Sequence, residues 1–236
     1  MTIELKVLQG GVAMIALNRP EVRNALNLEM CDELLRLTKE ISNQEIRVVF
    51  IRGNGPAFCG GADLNERKGK SEDWIRARRM RAFEAYGALE SLPMPCVALV
   101  HGAVIGSGVE IAAACDFIVA TPDATFRTPE AQRGTVGATQ RLPRILGKRL
   151  AKDMMFTGRT LTAAEARDAG LVSRIGDLEA EKRSIRDVIL GAPPLALKLA
   201  KRSIDRGIEL DPQGALQAEL EAIEEQLAAG QWMGKS

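Results

Sequence analysis

Two short apolar segments of this sequence are each followed directly by a glycine-rich loop. VVFIRG (48–53) leads into GNGPAFCGGAD, and CVALVHG (96–102) leads into GAVIGSGVE. A helical pattern follows each loop, and a further apolar segment, DFIVAT (116–121), follows the second helix. Short apolar runs of this kind are typical of strands buried on both faces. Their alternation with helices predicts an α/β fold with largely parallel strands.

The segments that precede and separate these runs agree with the same fold class. IELKVLQ and VAMIALN flank Gly10 and Gly11, which predicts a β-hairpin. The distribution of apolar and charged residues predicts helices over 28–43 and about 71–91.

The C-terminal part of the chain differs from the rest because it has no strand candidate. Residues 194–210 and 212–232 are predicted to form two helices. The second helix carries one apolar stripe opposite its glutamates, formed by Leu216, Leu220, Ile223 and Leu227. We expect this stripe to pack on the body of the chain or on a neighbouring subunit.

The composition limits the classes of partner. A chain of 236 residues that is 46% apolar can bury a full core. With 32 basic and 31 acidic residues the net charge is +1, so the overall charge does not favour nucleic acid or anionic membranes as partners. No apolar run is long enough to span a bilayer and no signal pattern opens the chain, which predicts a cytoplasmic protein.

The cysteines and one group of arginines have simple interpretations. The cysteines have no CxxC spacing and lie in apolar surroundings, which predicts reduced thiols; they are Cys31, Cys59, Cys96 and Cys115. The arginines are predicted to form a solvated helix face, with a local anionic ligand as the alternative. They are Arg76, Arg78, Arg79 and Arg81.

The single histidine limits the catalytic chemistry. A zinc site built on several imidazoles is excluded, and a Ser-His-Asp triad could use only His101. Ser107 follows in the same loop, but Ile105 stands where a GxSxG nucleophile turn requires its first glycine. His101 is therefore predicted to be a hydrogen-bonded residue at a strand end.

The glycine-rich loops and two carboxylates form a candidate site. One backbone N–H from each loop would make an oxyanion hole, although glycine loops after strands also form ordinary turns. Glu110 lies in an otherwise small and apolar run, where an unpartnered charge costs about 2–7 kcal/mol or more. Glu130 follows Pro129, where a second helix start would bring it to the same mouth. Paired carboxylates there could hold a water, although Glu130 alone would be interpreted as an acid favoured by a helix dipole.

Several motifs together resemble the crotonase, or enoyl-CoA hydratase/isomerase, superfamily. They run in family order from about residue 12 to 210 and read NRPEVRNAL, FCGGADL, GSGVEIAAACD, FRTPE, TQRLPRILGKRLA and FTGRTLTAAEARDAGLV. The resemblance implies a spiral of ββα units over 1–190 and a helical C-terminal trimerisation region over 191–236. It also implies a homotrimer or hexamer and an acyl-CoA thioester substrate. The run FCGGADLNER is most similar to the branch that contains methylglutaconyl-CoA hydratases, which has reported RNA-binding members.

The resemblance assigns roles to individual positions. Gly60 and Ser107 match the residues whose backbone N–H groups polarise the thioester oxygen, and Glu110 and Glu130 match the two acids of hydratases. Glu110 would help to activate the water, and Glu130 would donate a proton to the α-carbon. The positions that match segments lining the CoA arm and adenine pocket are Arg23, Ala25, Gly61, Ala62, Asp63 and Leu64. No metal and no separate cofactor is implied, because coenzyme A is part of the substrate.

Three activities remain open within this resemblance. Retention of both acids favours an enoyl-CoA hydratase, an isomerase or related enzyme would use mainly Glu130, and a non-catalytic member would bind acyl-CoA or RNA. Family members read roughly PExxxGxxPGxGGTQRL, whereas this chain reads the shorter PEAQRGTVGATQRL and lacks the Pro-Gly turn that closes over the acids. The chain also stops at GQWMGKS, so the region 191–236 is expected to be incomplete.

Overall fold

The structure is a computed structural model that describes residues 1–230. Its strands are β1 (Ile3–Leu8), β2 (Val12–Leu17), β3 (Val48–Gly53), β4 (Cys96–Val100), β5 (Ala103–Ile105), β6 (Phe117–Ala120), β7 (Thr125–Arg127), β8 (Thr160–Thr162) and β9 (Arg174–Ile175). Its α-helices are α1 (Leu28–Ser42), α2 (Glu72–Glu90), α3 (Ser107–Ala113), α4 (Arg141–Thr157), α5 (Ala163–Asp168), α6 (Leu178–Gly191), α7 (Pro194–Gly207) and α8 (Pro212–Ala228). Short 3₁₀ turns cover Pro20–Val22, Asn65–Arg67 and Ala131–Arg133.

The N-terminal hairpin is confirmed. Strands β1 and β2 pair antiparallel from Ile3 opposite Leu17 to Leu8 opposite Val12. The turn between them uses Gly10 at φ 78°, a left-handed conformation that glycine adopts without the clash of a side chain.

The strands form two sheets, and successive units of the chain contribute strands to both. The larger sheet has the order β1-β2-β3-β4-β6-β9, and every pair after the hairpin is parallel. The smaller sheet has the order β5-β7-β8. The units β4–β5–α3 and β6–β7–α4 each give one strand to each sheet and then a helix. This repetition is the ββα spiral that the resemblance implied.

The inner strands of the larger sheet, β2, β3, β4 and β6, are buried on both faces, which explains their nearly continuous apolar sequences. Along β2, Ala13 and Ile15 face the main core. Val12 and Met14 face a second apolar cluster that includes Ile185 of α6. Because each face has its own layer of helices, alternation between apolar and polar residues is lost in these strands.

The first two helices begin at side-chain caps close to their predicted limits. The Asn27 side chain accepts a hydrogen bond from the N–H of Met30 at the start of α1. The Ser71 side chain accepts one from the N–H of Trp74 at the start of α2. Such caps satisfy N–H groups that have no partner within the helix, and they fix where each helix begins.

The C-terminal region is helical as predicted, but its apolar stripe is exposed. Helix α8 packs on α7 through Ala218 and Ala222, which are buried. The stripe residues are between 41% and 56% exposed: Leu216, Leu220, Ile223 and Leu227. The expectation that the stripe packs on the body of the same chain is therefore wrong, whereas packing on a neighbouring subunit stays a prediction. The division at residue 190 also stays a prediction, and the last two positions of the predicted helix 212–232 lie outside the described residues.

The cysteines are buried and free, as predicted; they are Cys31, Cys59, Cys96 and Cys115. Burial raises the pKa of the Cys59 thiol to about 11, so it stays protonated near neutral pH. Within residues 1–230, none of the helices combines the length and apolar character that crossing a membrane requires.

Candidate active site

Two stretches of backbone lie side by side and form one wall of a cleft. The N–H of Cys59 donates to the carbonyl of Ala103 at 3.2 Å, and the N–H of Ile105 donates to the carbonyl of Cys59 at 2.9 Å. These bonds fix the two predicted glycine-rich loops against each other. We call residues 59–64 and 105–110 the inner wall.

Gly108 allows helix α3 to approach the first loop closely. A Cβ atom at this position would lie 2.5 Å from the carbonyl oxygen of Cys59, so a side chain does not fit. Gly106, which precedes the helix, has φ 49° and ψ −108°. The two glycines of GSG therefore serve close packing and a sharp turn, and they bring the start of α3 to the cleft.

Several backbone N–H groups of the inner wall have no hydrogen-bond acceptor among residues 1–230, and two of them could act together on one ligand. One belongs to Ser107, the first residue of α3, and the other belongs to Ala62. Both residues line the cleft. Free N–H groups at the start of a helix and in a neighbouring loop are suited to bind an oxyanion.

The structure contradicts the role predicted for Gly60. Its N–H donates to the carbonyl of Arg23 at 2.7 Å, and Gly60 does not line the cleft. The N–H of Asp63 donates to the carbonyl of Leu26 at 2.8 Å, which leaves the N–H groups of Gly61 and Ala62 unbonded between them. The prediction failed because the bridge between Leu26 and Ala62 sets the orientation of these peptides, and that bridge is not visible in the loop sequence.

Glu110 is buried, with 6% of its surface exposed, and it is paired. Its Oε2 lies 3.3 Å from Nη1 of Arg141. Burial raises the pKa of Glu110, while the charge and hydrogen bond of Arg141 and the N–H of Ala138 oppose that rise. The predicted cost of burying this carboxylate is thus offset by a cation.

Glu130 lies opposite the start of α3. A Cβ on Gly106 would be 2.5 Å from its Oε1, and a Cβ on Gly137 would be 3.0 Å from its Cγ. Its Oε2 is buried and has no hydrogen-bond partner among residues 1–230. Burial raises the pKa of Glu130 most, and the nearby charge of Glu110 raises it further. Glu130 precedes a 3₁₀ turn, whereas the sequence predicted a helix there.

The segment around Glu130 still closes over both acids although it is short. We call residues 129–138 the outer wall. Gly137 packs against the Glu130 side chain, and the backbone N–H of Ala138 lies on the side of Glu110, where it lowers the pKa of that carboxyl. Ala138 adopts φ 56°, a conformation that is unusual for a residue with a Cβ. Both acids therefore remain at the cleft even though the Pro-Gly turn is missing.

Sequence reasoning missed Arg141 and Tyr86. Tyr86 is buried and lines the cleft, and burial raises the pKa of its hydroxyl although a hydrogen bond with Ser107 opposes this. Arg141 pairs with Glu90 as well as Glu110. The motif TQRLPRILGKRLA contains Arg141, but nothing local to it predicts contact with a residue 31 positions earlier.

The cleft encloses about 640 Å³ of space, part of it open to solvent, and both walls and α2 contribute to it. Apolar residues from three elements line it, namely Leu64, Ala82, Phe83, Ile105 and Val136. Arg67, Arg79 and Arg133 also line it, and within residues 1–230 they form no ion pair. The cleft thus offers apolar surface next to the two acids.

The prediction that the arginines of α2 form a solvated face is wrong for two of them. Arg78 is only 2% exposed and bonds to Glu66 and to the carbonyl of Leu26. Arg79 lines the cleft and donates to the carbonyl of Val136. These two arginines bond to residues around the cleft and do not form an open basic face.

The other two arginines of the group agree with the prediction. Arg76 pairs with Asp73 at 2.9 Å, and Arg81 pairs with Asp32 at 2.6 Å. Both pairs lie at the surface, where such interactions contribute little to stability.

The predicted substrate-binding residues divide into two groups. Gly61, Ala62 and Leu64 line the cleft, whereas Arg23, Ala25 and Asp63 do not. The Asp63 carboxylate lies 3.0 Å from Nη1 of Arg19, and the same nitrogen donates to the carbonyl of Ala25 at 2.6 Å. Asp63 and Ala25 therefore hold the first loop together in this structure.

His101 has the structural role that the sequence predicted. It follows the last residue of β4, and its Nε2 lies 2.8 Å from the carbonyl oxygen of Gly55. The ring thus joins two loops near the inner wall. It does not line the cleft.

Residues 8–231 match the sequence profile of the family described as enoyl-CoA hydratase/isomerase. The short-chain-enoyl-CoA hydratase of Clostridium acetobutylicum is 36% identical over 225 residues, which cover 92% of this chain and 86% of that protein. The mitochondrial enoyl-CoA hydratase domain-containing protein 2 of Homo sapiens is 38% identical over 224 residues, which cover 89% and 77%. The crystal structure of enoyl-CoA hydratase from Bacillus anthracis matches with a TM-score of 0.93 and 34% identity, over 97% of this chain and 92% of that one.

These matches agree with the motifs and with the geometry. The sequence profile covers both walls of the cleft and the two acids. The structural match covers nearly the whole chain, so it includes both sheets and the C-terminal helices. The chain belongs to the enoyl-CoA hydratase/isomerase family of the crotonase superfamily.

Proposed function

We propose that the protein is an enoyl-CoA hydratase that adds water in syn fashion across the α,β double bond of a 2-enoyl-CoA thioester. One observation carries the proposal. Two carboxylates with different surroundings, Glu110 and Glu130, line one cleft beside two unbonded N–H groups. The named hydratases among the relatives support the same reaction class.

In this mechanism the thioester carbonyl oxygen accepts hydrogen bonds from the N–H groups of Ala62 and Ser107. These donors stabilise the negative charge that develops on that oxygen as the enolate forms. A single donor of this kind is typically worth on the order of 10²–10³ in rate. Ala62 takes the role that the sequence had given to Gly60.

The two acids then move the protons. Glu110, paired with Arg141, accepts a proton from water as the water oxygen bonds to the β-carbon, and the π electrons move toward the carbonyl. Glu130, whose pKa is raised by burial, donates its proton to the α-carbon as the enolate collapses. Exchange of one proton with solvent restores both acids.

The same proposal includes the partners. The substrate is an acyl-CoA thioester, and no separate cofactor or metal takes part because coenzyme A activates the acyl group. The exposed stripe on α8 supports assembly as a homotrimer or hexamer. A cytoplasmic location stays a prediction, and one relative is named as mitochondrial.

The test compares 2-enoyl and 3-enoyl thioesters on the wild type, Glu110→Gln and Glu130→Gln. Hydration is expected to fall by about 10²–10⁴-fold in each variant, because each removes one proton-transfer group. Glu84→Gln is the matched control, because Glu84 is an exposed residue of α2 that pairs with Arg81.

The outcomes separate the three activities. Wild-type hydration in both variants would refute the proposal. Conversion of 3-enoyl to 2-enoyl thioesters that depends on Glu130 alone would support the isomerase instead. Salt-dependent RNA binding without turnover of any thioester would support a binding protein.

A further inference from the structure

Arg141 contacts the site from outside the cleft. It is the first residue of α4, and its guanidinium reaches acids on two other helices. Nη1 lies 3.3 Å from Oε2 of Glu110 on α3, and Nη2 lies 2.6 Å from Oε2 of Glu90 on α2. Its central carbon lies 6.0 Å from the centre of the Tyr86 ring. Arg141 does not line the cleft, so its route to the reacting atoms is through Glu110.

The groups around Glu110 act on its proton affinity in opposite directions. Burial raises the pKa of Glu110 most, and the charge of Glu90 also raises it. Arg141 lowers that pKa through its charge and its hydrogen bond, and the N–H of Ala138 adds to this effect. The charged or titratable groups that face Glu110 are Arg141, Glu90, Tyr86 and Glu130.

Glu130 has no comparable partner. It forms no ion pair or side-chain hydrogen bond with residues 1–230, and its Oε2 is buried. Arg133 and Arg79 lower its pKa, but burial and Glu110 act against them and the pKa is raised. The two acids of one cleft therefore have different electrostatic support, which is how paired carboxyl groups take opposite roles.

We propose that Arg141 is a positioning residue that keeps Glu110 ionised and directed at the cleft, so that Glu110 is the base and Glu130 the acid. The bond to Glu90 and the Tyr86 ring restrict the guanidinium, so it presents one N–H to Glu110 in a fixed direction. The roles of Glu110 as base and Glu130 as acid rest on the proposed function. The electrostatic effect of Arg141 on Glu110 does not depend on that function.

The first test is the pH profile of kcat/KM for hydration in Arg141→Gln. The acidic limb, where the base becomes protonated, is expected to move upward by about one pH unit. Much of the lost rate should then return as the pH is raised. Arg141→Lys keeps the charge but cannot bridge both acids, so a smaller shift in the same direction is expected. A loss that is equal at every pH would overturn the proposal, because it would indicate a structural role only.

The matched control is Arg144→Gln. Arg144 lies one turn further along α4, its side chain is 55% exposed, and it pairs with Glu209 at 3.3 Å. This variant is expected to keep the acidic limb of the wild type. A shift as large as that of Arg141→Gln would overturn the proposal, because it would show a general charge effect.

The second test measures the carboxyl group directly and needs no activity. In carbon-13 NMR of glutamate-labelled protein, the Glu110 signal is assigned by its loss in Glu110→Gln. Its titration midpoint is expected to rise in Arg141→Gln or, if that variant does not fold, in Arg141→Lys. An unchanged midpoint overturns the proposal whether or not the protein hydrates thioesters. A raised midpoint in a protein that turns over no thioester keeps the assignment of Arg141 and removes the proposed function.

Discussion

The inner and outer walls of the cleft are built in different ways. The inner wall is bonded to neighbouring backbone on both sides and contains buried residues such as Cys59, Val109 and Glu110. Half of the residues of the outer wall are exposed, with Val136 at 67%, and this wall is held by a few contacts. These include the packing of Glu130 on Gly106 and the bond from Arg79 to the Val136 carbonyl.

This difference shows that the backbone of the inner wall and the carboxylate of the outer wall are held in place by different kinds of contact. In the inner wall, backbone N–H groups are positioned by a core that tolerates little change. In the outer wall, one acid is placed by loop contacts that the core does not determine. Substitutions in the inner wall should therefore affect stability and activity together, whereas those at the contact between the walls should affect activity more.

The largest effect is expected from Gly108→Ala. The new Cβ would lie 2.5 Å from the carbonyl oxygen of Cys59, which is buried backbone that cannot move aside. We expect a loss of about 1–3 kcal/mol in the free energy of unfolding, together with a large loss of hydration. Chemical denaturation and a thioester assay measure both.

Gly87→Ala is the control for this prediction. Gly87 is also helical, and nothing lies within 4 Å of the position its Cβ would take. Alanine there is expected to stabilise the protein by about 0.5–1 kcal/mol. If Gly108→Ala were as stable and active as Gly87→Ala, the close contact between the two loops would not be needed.

The next effect is expected from Gly106→Ala, which acts where the two walls meet. Its φ of 49° with ψ −108° lies outside the left-handed helical region and is unfavourable for alanine, at a cost of roughly 1–3 kcal/mol. The new Cβ would lie 2.5 Å from Oε1 of Glu130, the flexible end of a side chain, which can move away. Displacement of this carboxylate should lower hydration on the order of 10²-fold.

The control for Gly106→Ala is Gly170→Ala. Gly170 has φ 84°, and a Cβ atom added there would have no neighbour within 4 Å, so alanine there also has an unfavourable positive φ but does not touch Glu130. Hydration should be retained there, although stability falls. Equal activity losses in the two variants would mean that backbone strain, and not the position of Glu130, limits the reaction.

The same contrast explains how far the sequence could predict the molecule. Local sequence patterns predict the hairpin, helices α1 and α2 and the buried strands. This is because burial on both faces requires apolar runs and helix starts require capping residues, both of which are visible in the sequence. Glu110 could be found because a carboxylate in an apolar run is conspicuous. The short strands β7 and β8 leave too few residues for a pattern and were not predicted.

The missed or wrong assignments depend on contacts between distant segments. Ala62, and not Gly60, presents its N–H to the cleft because Leu26 pairs with this loop. Arg78 can be buried because Glu66 and the carbonyl of Leu26 accept its hydrogen bonds and offset the cost of burying its charge. Neither contact follows from the sequence near the residue, so each needs the fold to be known first.

The smallest predicted effect concerns the stability cost of Glu130 itself. Because burial raises its pKa in the folded state, the folded protein holds this proton to higher pH than the unfolded chain does. The free energy of unfolding therefore falls as pH rises from the unfolded-state value of about 4.3 through the raised folded-state value. Glu130→Gln removes this loss and should be more stable than wild type at pH 7–8 by roughly 0.5–2 kcal/mol, an advantage that shrinks toward pH 4.

Glu110→Gln provides the comparison, because its partner remains. Removing that carboxylate leaves the Arg141 guanidinium without one of its two acids, so any gain at neutral pH should be smaller than in Glu130→Gln or turn into a loss. Denaturation curves of both variants from pH 4 to 8 measure the difference. If the two variants followed the same pH dependence, the carboxylates would have equal electrostatic support, and the division of the cleft into a paired base and an unpaired acid would be incorrect.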